Sequence, residues 1–266
     1  MAVTTFIPEV WSARLLENLR RQLVFGALAN RNYEGEIAQY GDTVHINSIA
    51  DITVKEYTPN TDIDDPEQLT TVDQTLVIDH AAYYNFFLND VDAAQARGDL
   101  MDAAMRNASY KLAEDTEDYI LSVILAAGQI KGTAAADKVY ESIVAIKTAM
   151  DEKNVPKEGR KLVLAPAAEG ALLLDDRCIK GNKGETRLEN GYVARAAGFD
   201  IYVSNATGMD GKMVAFRSDD VTFANQLTKT EAYRREKGFD DGVKGLNLCG
   251  AKVTRPDAVV VYTITA

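Results

Sequence analysis

Residues 40–54, YGDTVHINSIADITV, and residues 69–87, LTTVDQTLVIDHAAYYNFF, read as two long extended segments. In the first, Val44, Ile46, Ile52 and Val54 alternate with polar residues, the period of a half-buried strand. Tyr40-Gly41-Asp42 is a turn signal ahead of it. The second runs through Val72, Leu76, Val77 and Ile78 and ends in the aromatic group Tyr83, Tyr84, Phe86 and Phe87. Between them, KEYTPNTDIDDPEQLTT (55–71) has two prolines, five acids and few large apolar groups, so it reads as a loop tip. Ten paired residues would span about 33 Å. A two-stranded ribbon of that length has little core of its own and is marginal in water. The chain has few spare elements to cover it, so a neighbouring copy is the expected cover. That points to an assembly protein before it points to an enzyme.

Working outward, Trp11, Leu15, Leu16, Leu19, Leu23 and Phe25 fall at spacings of three and four, which predicts a helix over 11–28 ended by Gly26 or Asn30. Residues 1–9 form a short apolar arm. Trp11, the single tryptophan, suits an anchor in the protein's own core or on a neighbour equally. Downstream, Met101, Met105, Ala108, Leu112, Thr116, Tyr119 and Val123 predict a helix over 99–127, about 40 Å long. It is rich in Ala and Thr rather than in coiled-coil Leu and Ile. Gly128 to Ala136 reads as a linker at a subdomain boundary. An amphipathic helix over 137–153, a buried strand at 161–166, a small helix over 167–174 and a polar loop over 175–190 follow. Strands at 199–204 and 213–216 come next, then VTFAN, a charged stretch over 233–245, and two closing strands. The order suggests an α+β protein with segregated sheets.

Composition excludes several functions. The chain has 266 residues and a formal net charge of -11. A protein gripping nucleic acid would need a basic stripe to neutralise phosphates. Here acids surround the short basic groups Arg20-Arg21 and Arg234-Arg235, although an acidic protein can still enclose nucleic acid without holding it tightly. The N-terminus lacks a secretory leader pattern, and no apolar run reaches membrane-spanning length. Folding in the cytoplasm is expected. Cys178 and Cys249 match no metal spacing and read as structural thiols in a reducing compartment. The sequons at Asn107 and Asn205 then read as chance matches.

Catalytic material is sparse. His45 and His80 are the two histidines; both sit on the extended segments, where they could lie opposite each other. No nucleophile elbow, zinc helix, phosphate loop or dinucleotide fingerprint occurs. Gly208 to Lys212 reads as a hairpin turn. Asp62, Asp64, Asp65 and Glu67 lack the spacing and central glycine of a calcium loop. The aromatic group after Ile78 lacks the basic groove of a base-stacking platform and reads as a hinge packed on the core. No cofactor or metal is expected. A carboxylate-based hydrolase or a sugar-binding protein is the alternative from another class.

Five strings, in order, resemble tailed-bacteriophage (Caudoviricetes) major capsid proteins of the Hong Kong 97-type fold. They are FIPEVWSARLLENLRRQLVFGALANRNYEGEIAQYGDTVHINSI, QARGDLMDAAMRNASYKLAEDTEDYI, LVLAPAAEGALLLDD, NGYVARAAGFDIYVSN and EAYRREKGFDDGVKGLNLCGAKVTRPDAVVV. The resemblance implies an N-terminal arm (1–35), an extended β-hairpin loop (36–88), a peripheral domain with a long spine helix (89–131 and 218–266) and an axial domain (132–217). The C-terminal strands could partly complete the axial domain. It implies hexamers and pentamers in an icosahedral shell around double-stranded DNA. Implied partners are the protein itself, a separate scaffolding protein, a portal and a decoration protein, with no membrane. A scaffolding segment removed from the N-terminus is the alternative to a separate scaffold. A protein-filled, encapsulin-like nanocompartment shell of the same fold is the second reading. Phe6, Ile7, Trp11, Lys55, Tyr57, Asp62, Asp64, Asp65 and Glu67 are the candidate subunit-interface residues. Lys55 is the lone lysine of the loop, and its surroundings give no reason to expect a crosslink.

Overall fold

The computed structural model describes residues 23–32, 41, 43–49, 52–54, 56–57, 59, 62, 65–68, 70–89, 100–135, 138–174, 192–234, 238 and 240–265. Eleven strands and four α-helices are assigned within them, in an α+β arrangement.

A six-stranded mixed sheet holds most of the middle of the chain. Its strands are β4 (Ile130–Ala135), β5 (Arg160–Leu164), β6 (Tyr192–Ala196), β7 (Phe199–Val203), β8 (Lys212–Arg217) and β11 (Val260–Thr265), in the order β4-β11-β8-β5-β7-β6. The sequence KMVAFR of β8 is apolar without alternation because both faces of that strand are covered. Met213 and Ala215 face helices α3 (Val139–Glu152) and α4 (Pro166–Leu174), beside Ile143, Ile146, Leu162 and Phe199. Val214 and Phe216 face the opposite cluster, with Phe25, Ile120, Ile124 and Phe223. The turn from α3 to β5 is fastened by Arg160, 3% exposed. Its guanidinium pairs with Asp151 at 2.7 Å and donates to the carbonyls of Val155 and Pro156.

The stretch read as a glycine and alanine linker is instead strand β4, paired in parallel with β11. Its small residues fit a crowded edge: a side chain on Gly132 would meet the ring of Tyr262 at 2.6 Å. Strand β11, near the C-terminus, thereby lies inside this sheet rather than beside it.

Helix α2 runs from Leu100 to Ala127, 28 residues, about 42 Å at the usual rise. It packs against β3 (His80–Asn89) and β10 (Asp240–Val253), which form a three-stranded sheet with β9 (Val221–Arg234) in the order β3-β10-β9. The buried positions in the C-terminal half of α2 are Thr116, Glu117, Ile120, Leu121 and Ile124. Of the expected stripe, Thr116 is among them, while Tyr119 and Val123 are only partly buried, one position before Ile120 and Ile124. The charged stretch near 240 continues strand β10, and a bulge between Leu246 and Asn247 shifts its register with β9.

Strands β1 (Thr43–Ile49) and β2 (Thr71–Val77) form a separate antiparallel hairpin, with Val44 opposite Leu76. The two histidines do not face each other: His45 pairs with Thr75 in the hairpin, and His80 pairs with Cys249 in the three-stranded sheet. Strand pairing ends at Ile49, so Ile52 and Val54 stand outside it, 66% and 93% exposed.

Candidate functional site

Among the described residues, the hairpin is buried against the body at its root. Val44, Leu76 and Ile78 are buried against Ala224 and Leu248 of the three-stranded sheet, with Ile46 and Leu246 partly covered beside them. The close approach needs a glycine: a side chain at Gly250 would lie 2.4 Å from the carbonyl oxygen of Val77. Gly41, at φ +88°, donates its N–H to the Ile78 carbonyl and turns the chain into β1. Further out, His45 Nδ1 lies 2.7 Å from Asp73 Oδ2 across the strands. Both groups are about half exposed, so this pair adds little stability.

Beyond the hairpin, the connector carries apolar groups with no cover. Tyr57 is 68% exposed. Asp62, Asp65 and Glu67 are exposed, and Glu67 Oε2 accepts the N–H of Thr53 at 3.2 Å, tying the two sides of the connector together. Phe6, Ile7, Trp11, Lys55 and Asp64 lie outside the described residues.

The aromatic group in β3 splits by strand alternation. Tyr84 and Phe86 turn toward the body, while Tyr83 and Phe87 stand 78% and 56% exposed on the other face. Only half of this group therefore packs on the core. Two cross-strand glycines make room for rings: Tyr84 lies over Gly245, and Tyr233 lies over Gly242.

The N-terminal segment enters through the short helix α1 (Phe25–Leu28), fixed at both ends by charge. Glu117, 2% exposed, accepts N–H groups from Val24, Phe25 and Gly26 at 2.5, 2.8 and 3.1 Å. These amides have no partner within the helix, and a carboxylate there also opposes the positive end of the peptide dipoles. At the other end, Lys161 Nζ donates to the Leu28 carbonyl at 3.2 Å and to Ser218 Oγ at 2.5 Å. Burial pulls the Lys161 ammonium below the ordinary lysine range. Phe25, fully buried, stacks on Phe216 at 6.2 Å. Asn30 then bridges to Thr222 of β9 in parallel. A groove of about 400 Å³ lies between α1 and α2, lined by Leu23, Ala27, Leu112, Ile120 and Phe223. The sequence reading found Phe25 but missed Glu117 and Lys161. The clue to Glu117 was its place one turn before Ile120 and Leu121, on the apolar side of α2.

Two groups in α2 and β10 titrate far from their ordinary values. Burial, with a smaller upward push from the Asp79 carboxylate, raises the Tyr119 phenol. Burial pushes the Cys249 thiol up from 9.0 to about 12. Such a thiol is inert, as expected of a structural cysteine; Cys178 lies outside the described residues. Among the described residues no group of three or more metal-ligating side chains converges, and no helix is long and apolar enough to cross a membrane.

A six-stranded sheet with two covering helices, a long helix against a three-stranded sheet, and a hairpin anchored at its base define a capsid-type fold. Residues 77–262 match the phage capsid protein family. The chain belongs to that family, and it is a major capsid shell protein. A Mycobacterium phage Che8 structure is similar at 29% identity and a TM-score of 0.79, covering 98% of each chain. The capsid of cyanophage P-SCSP1u has 18% identity and a TM-score of 0.76, over 98% of this chain and 93% of that one. A virus-like particle from Pyrococcus furiosus shares the fold at 15% identity and a TM-score of 0.60, over 91% and 92% of the two chains. Among curated protein sequences, none matches. The family match sets the phage shell ahead of the nanocompartment reading.

Proposed function

We propose that this shell protein assembles as hexamers and pentamers into an icosahedral container for double-stranded DNA, and that its role is structural rather than catalytic. Residues 1–35 act as an arm and 36–88 as an extended loop, each lying on neighbouring subunits. The three-stranded sheet and α2 form the peripheral domain. The six-stranded sheet with α3 and α4 forms the axial domain, and β4 and β11 belong with it because they pair within that sheet. The observation that carries the reading is the hairpin. It is rooted on Val44, Leu76 and Ile78, yet it leads to Ile52, Val54 and Tyr57, each at least 66% exposed. Closed shells use such repeated heterologous contacts.

Phe6, Ile7, Trp11, Lys55, Tyr57, Asp62, Asp64, Asp65 and Glu67 make subunit contacts in this reading. Each large apolar group buried on a neighbour contributes about 1.5–3 kcal/mol before ordering costs. A net charge of -11 suits a wall that confines DNA without gripping its phosphates. Assembly takes place in the host bacterial cytoplasm, with a separate scaffolding protein, a portal and a decoration protein as partners. Deleting residues 55–71 tests the reading. The variant subunit is expected to be soluble and folded by circular dichroism, yet to give no stable shells by electron microscopy and sedimentation. Shells of normal size and yield would overturn the role given to the loop.

A further inference from the structure

Five consecutive residues of α2, Asp115 to Tyr119, tie four parts of the subunit to one and a half turns of helix. Successive side chains on an α-helix point about 100° apart, so five of them sweep the whole circumference. Thr116 and Glu117 are buried at this level, while Asp115 stands at the exposed edge of the helix with its side chain 48% exposed. Asp115 Oδ2 lies 2.6 Å from His80 Nε2, and the imidazole stacks on the Tyr119 ring at 4.4 Å. Tyr119 Oη donates to Asp79 Oδ1 at 2.5 Å. Asp79 is the last of the two residues that link β2 to β3, and His80 is the first residue of β3, so both stand where the chain leaves the hairpin and enters the three-stranded sheet. Glu117 holds the three amides at the start of α1. Between these, Thr116 Oγ1 accepts from Asn247 Nδ2 of β10 at 3.2 Å. Asp118 Oδ1 accepts the N–H of Thr207, in the loop before β8, at 3.0 Å.

The alternation has a pattern. Positions 116 and 118 fasten the helix to the two sheets, and positions 115, 117 and 119 fasten the roots of the two projecting segments to the helix. Asp115 and Tyr119 are four residues apart, on one face, and both take the hairpin root. Glu117 lies half a turn away and takes the N-terminal root. We infer that Asp115, Glu117 and Tyr119 are positioning residues for assembly. They set, from one rigid segment, the directions in which the arm and the extended loop leave the body. The inference rests on the shell reading above, in which those two segments reach neighbours.

A buried carboxylate that only stabilised the subunit could be lost with no effect on shells beyond the fraction unfolded. A direction-setting residue behaves differently. In Glu117→Ala and in the double variant Asp115→Ala with Tyr119→Phe, amide hydrogen exchange of the isolated subunit should rise at least tenfold locally. The affected amides are 24–26 in the first variant and 79–82 in the second, with β8 unchanged. Both variants should remain folded, and electron microscopy should find closed shells of wild-type diameter reduced at least tenfold in favour of aberrant or open particles. Glu117→Gln keeps one carbonyl acceptor and guards against a variant too unstable to purify. It should recover part of the shell yield. Asp151→Ala, which removes the Arg160 ion pair and leaves every tie from α2 in place, is the matched control. It should lower subunit stability and leave shell diameter unchanged. Shells of wild-type diameter and yield from all the α2 variants would overturn the inference. So would a shell loss that follows subunit stability along the same line as Asp151→Ala. Failure of the wild-type protein to form any shell strikes the shell reading itself and is read separately.

Discussion

The six-stranded sheet and the β1–β2 hairpin are built from the same residue types but solve burial in opposite ways. In the sheet, β5 and β8 are covered on both faces, and Leu162, Val163, Leu164, Met213, Val214, Ala215 and Phe216 have no exposed surface. In the hairpin, full burial is seen at Val44 and Leu76; Ile46, further out, is only partly covered, and Val77, on the opposite face, is 41% exposed. The sheet needs nothing outside its own chain. Among the described residues the hairpin is buried at its root, and in the proposed reading its outer part is covered by a neighbouring subunit. Stability of the subunit and stability of the shell should therefore answer to different residues.

The strongest way to test this division is to damage the sheet. Phe216 is fully buried and stacks on Phe25, linking β8 to the N-terminal root. Phe216→Ala should cost about 3–5 kcal/mol through lost burial and a cavity. For a chain of this size that lowers Tm by roughly 6–20 °C, read by calorimetry on the subunit. If the subunit keeps its Tm, the sheet is not the source of stability.

Damage at the hairpin root should be smaller and local. Leu76 is also fully buried, but in a satellite cluster with Val44, Ile78, Ala224 and Leu248. Leu76→Ala should cost about 2 kcal/mol, the lower end for such a truncation. Hydrogen exchange should rise across 43–49 and 71–77 while β8 keeps its protection. A loss of protection in both places would mean that hairpin and sheet fold as one unit.

The sequence made the sheet more legible than the hairpin's surroundings. Helices over 137–153 and 167–174 and strands over 161–166, 199–204 and 213–216 all appear within a few residues of their expected places, because core periodicity is local information. The failures have physical causes. Gly128 to Ala136 resembled a linker because β4 needs small residues where Tyr262 crosses Gly132. Ile52 and Val54 alternated like strand residues, yet no strand among the described residues pairs with them. Glu117 looked like a charged surface residue of α2, since its partners are backbone amides more than ninety positions away, which no sequence period reports. Of the candidate interface residues, the exposure of Tyr57, Asp62, Asp65 and Glu67 agrees with a tip left for partners, while their contacts remain a proposal.

The junction between the two regions carries a pH dependence. The Cys249 thiol, raised from 9.0 to about 12, and the raised Tyr119 phenol hold their protons more tightly in the folded subunit than in the unfolded chain. Their contribution is fully present below the unfolded-state values. It is lost as pH rises through 9 and 10 toward the folded-state values. Subunit Tm should fall steadily between pH 9 and pH 11. Cys249→Ala should flatten that slope even though it lowers Tm at neutral pH. An unchanged slope would place the alkaline sensitivity elsewhere.

The smallest expected effect on the subunit is also the sharpest test of the division. Val54 is 93% exposed, the most exposed large apolar residue described. Val54→Ser removes almost no buried surface from the isolated chain, so its folding stability should change by less than about 0.5 kcal/mol. If a neighbour covers this position in the shell, the same change removes most of a valine's burial at every copy, about 1.5 kcal/mol or more per subunit. Shells of the variant should then come apart at a lower denaturant concentration than wild-type shells, while the two subunits unfold together. Equal midpoints for both the shells and the subunits would mean that the outer hairpin stays in water after assembly. The contrast between a self-covered sheet and a partner-covered hairpin would then fail at the point where it is most exposed.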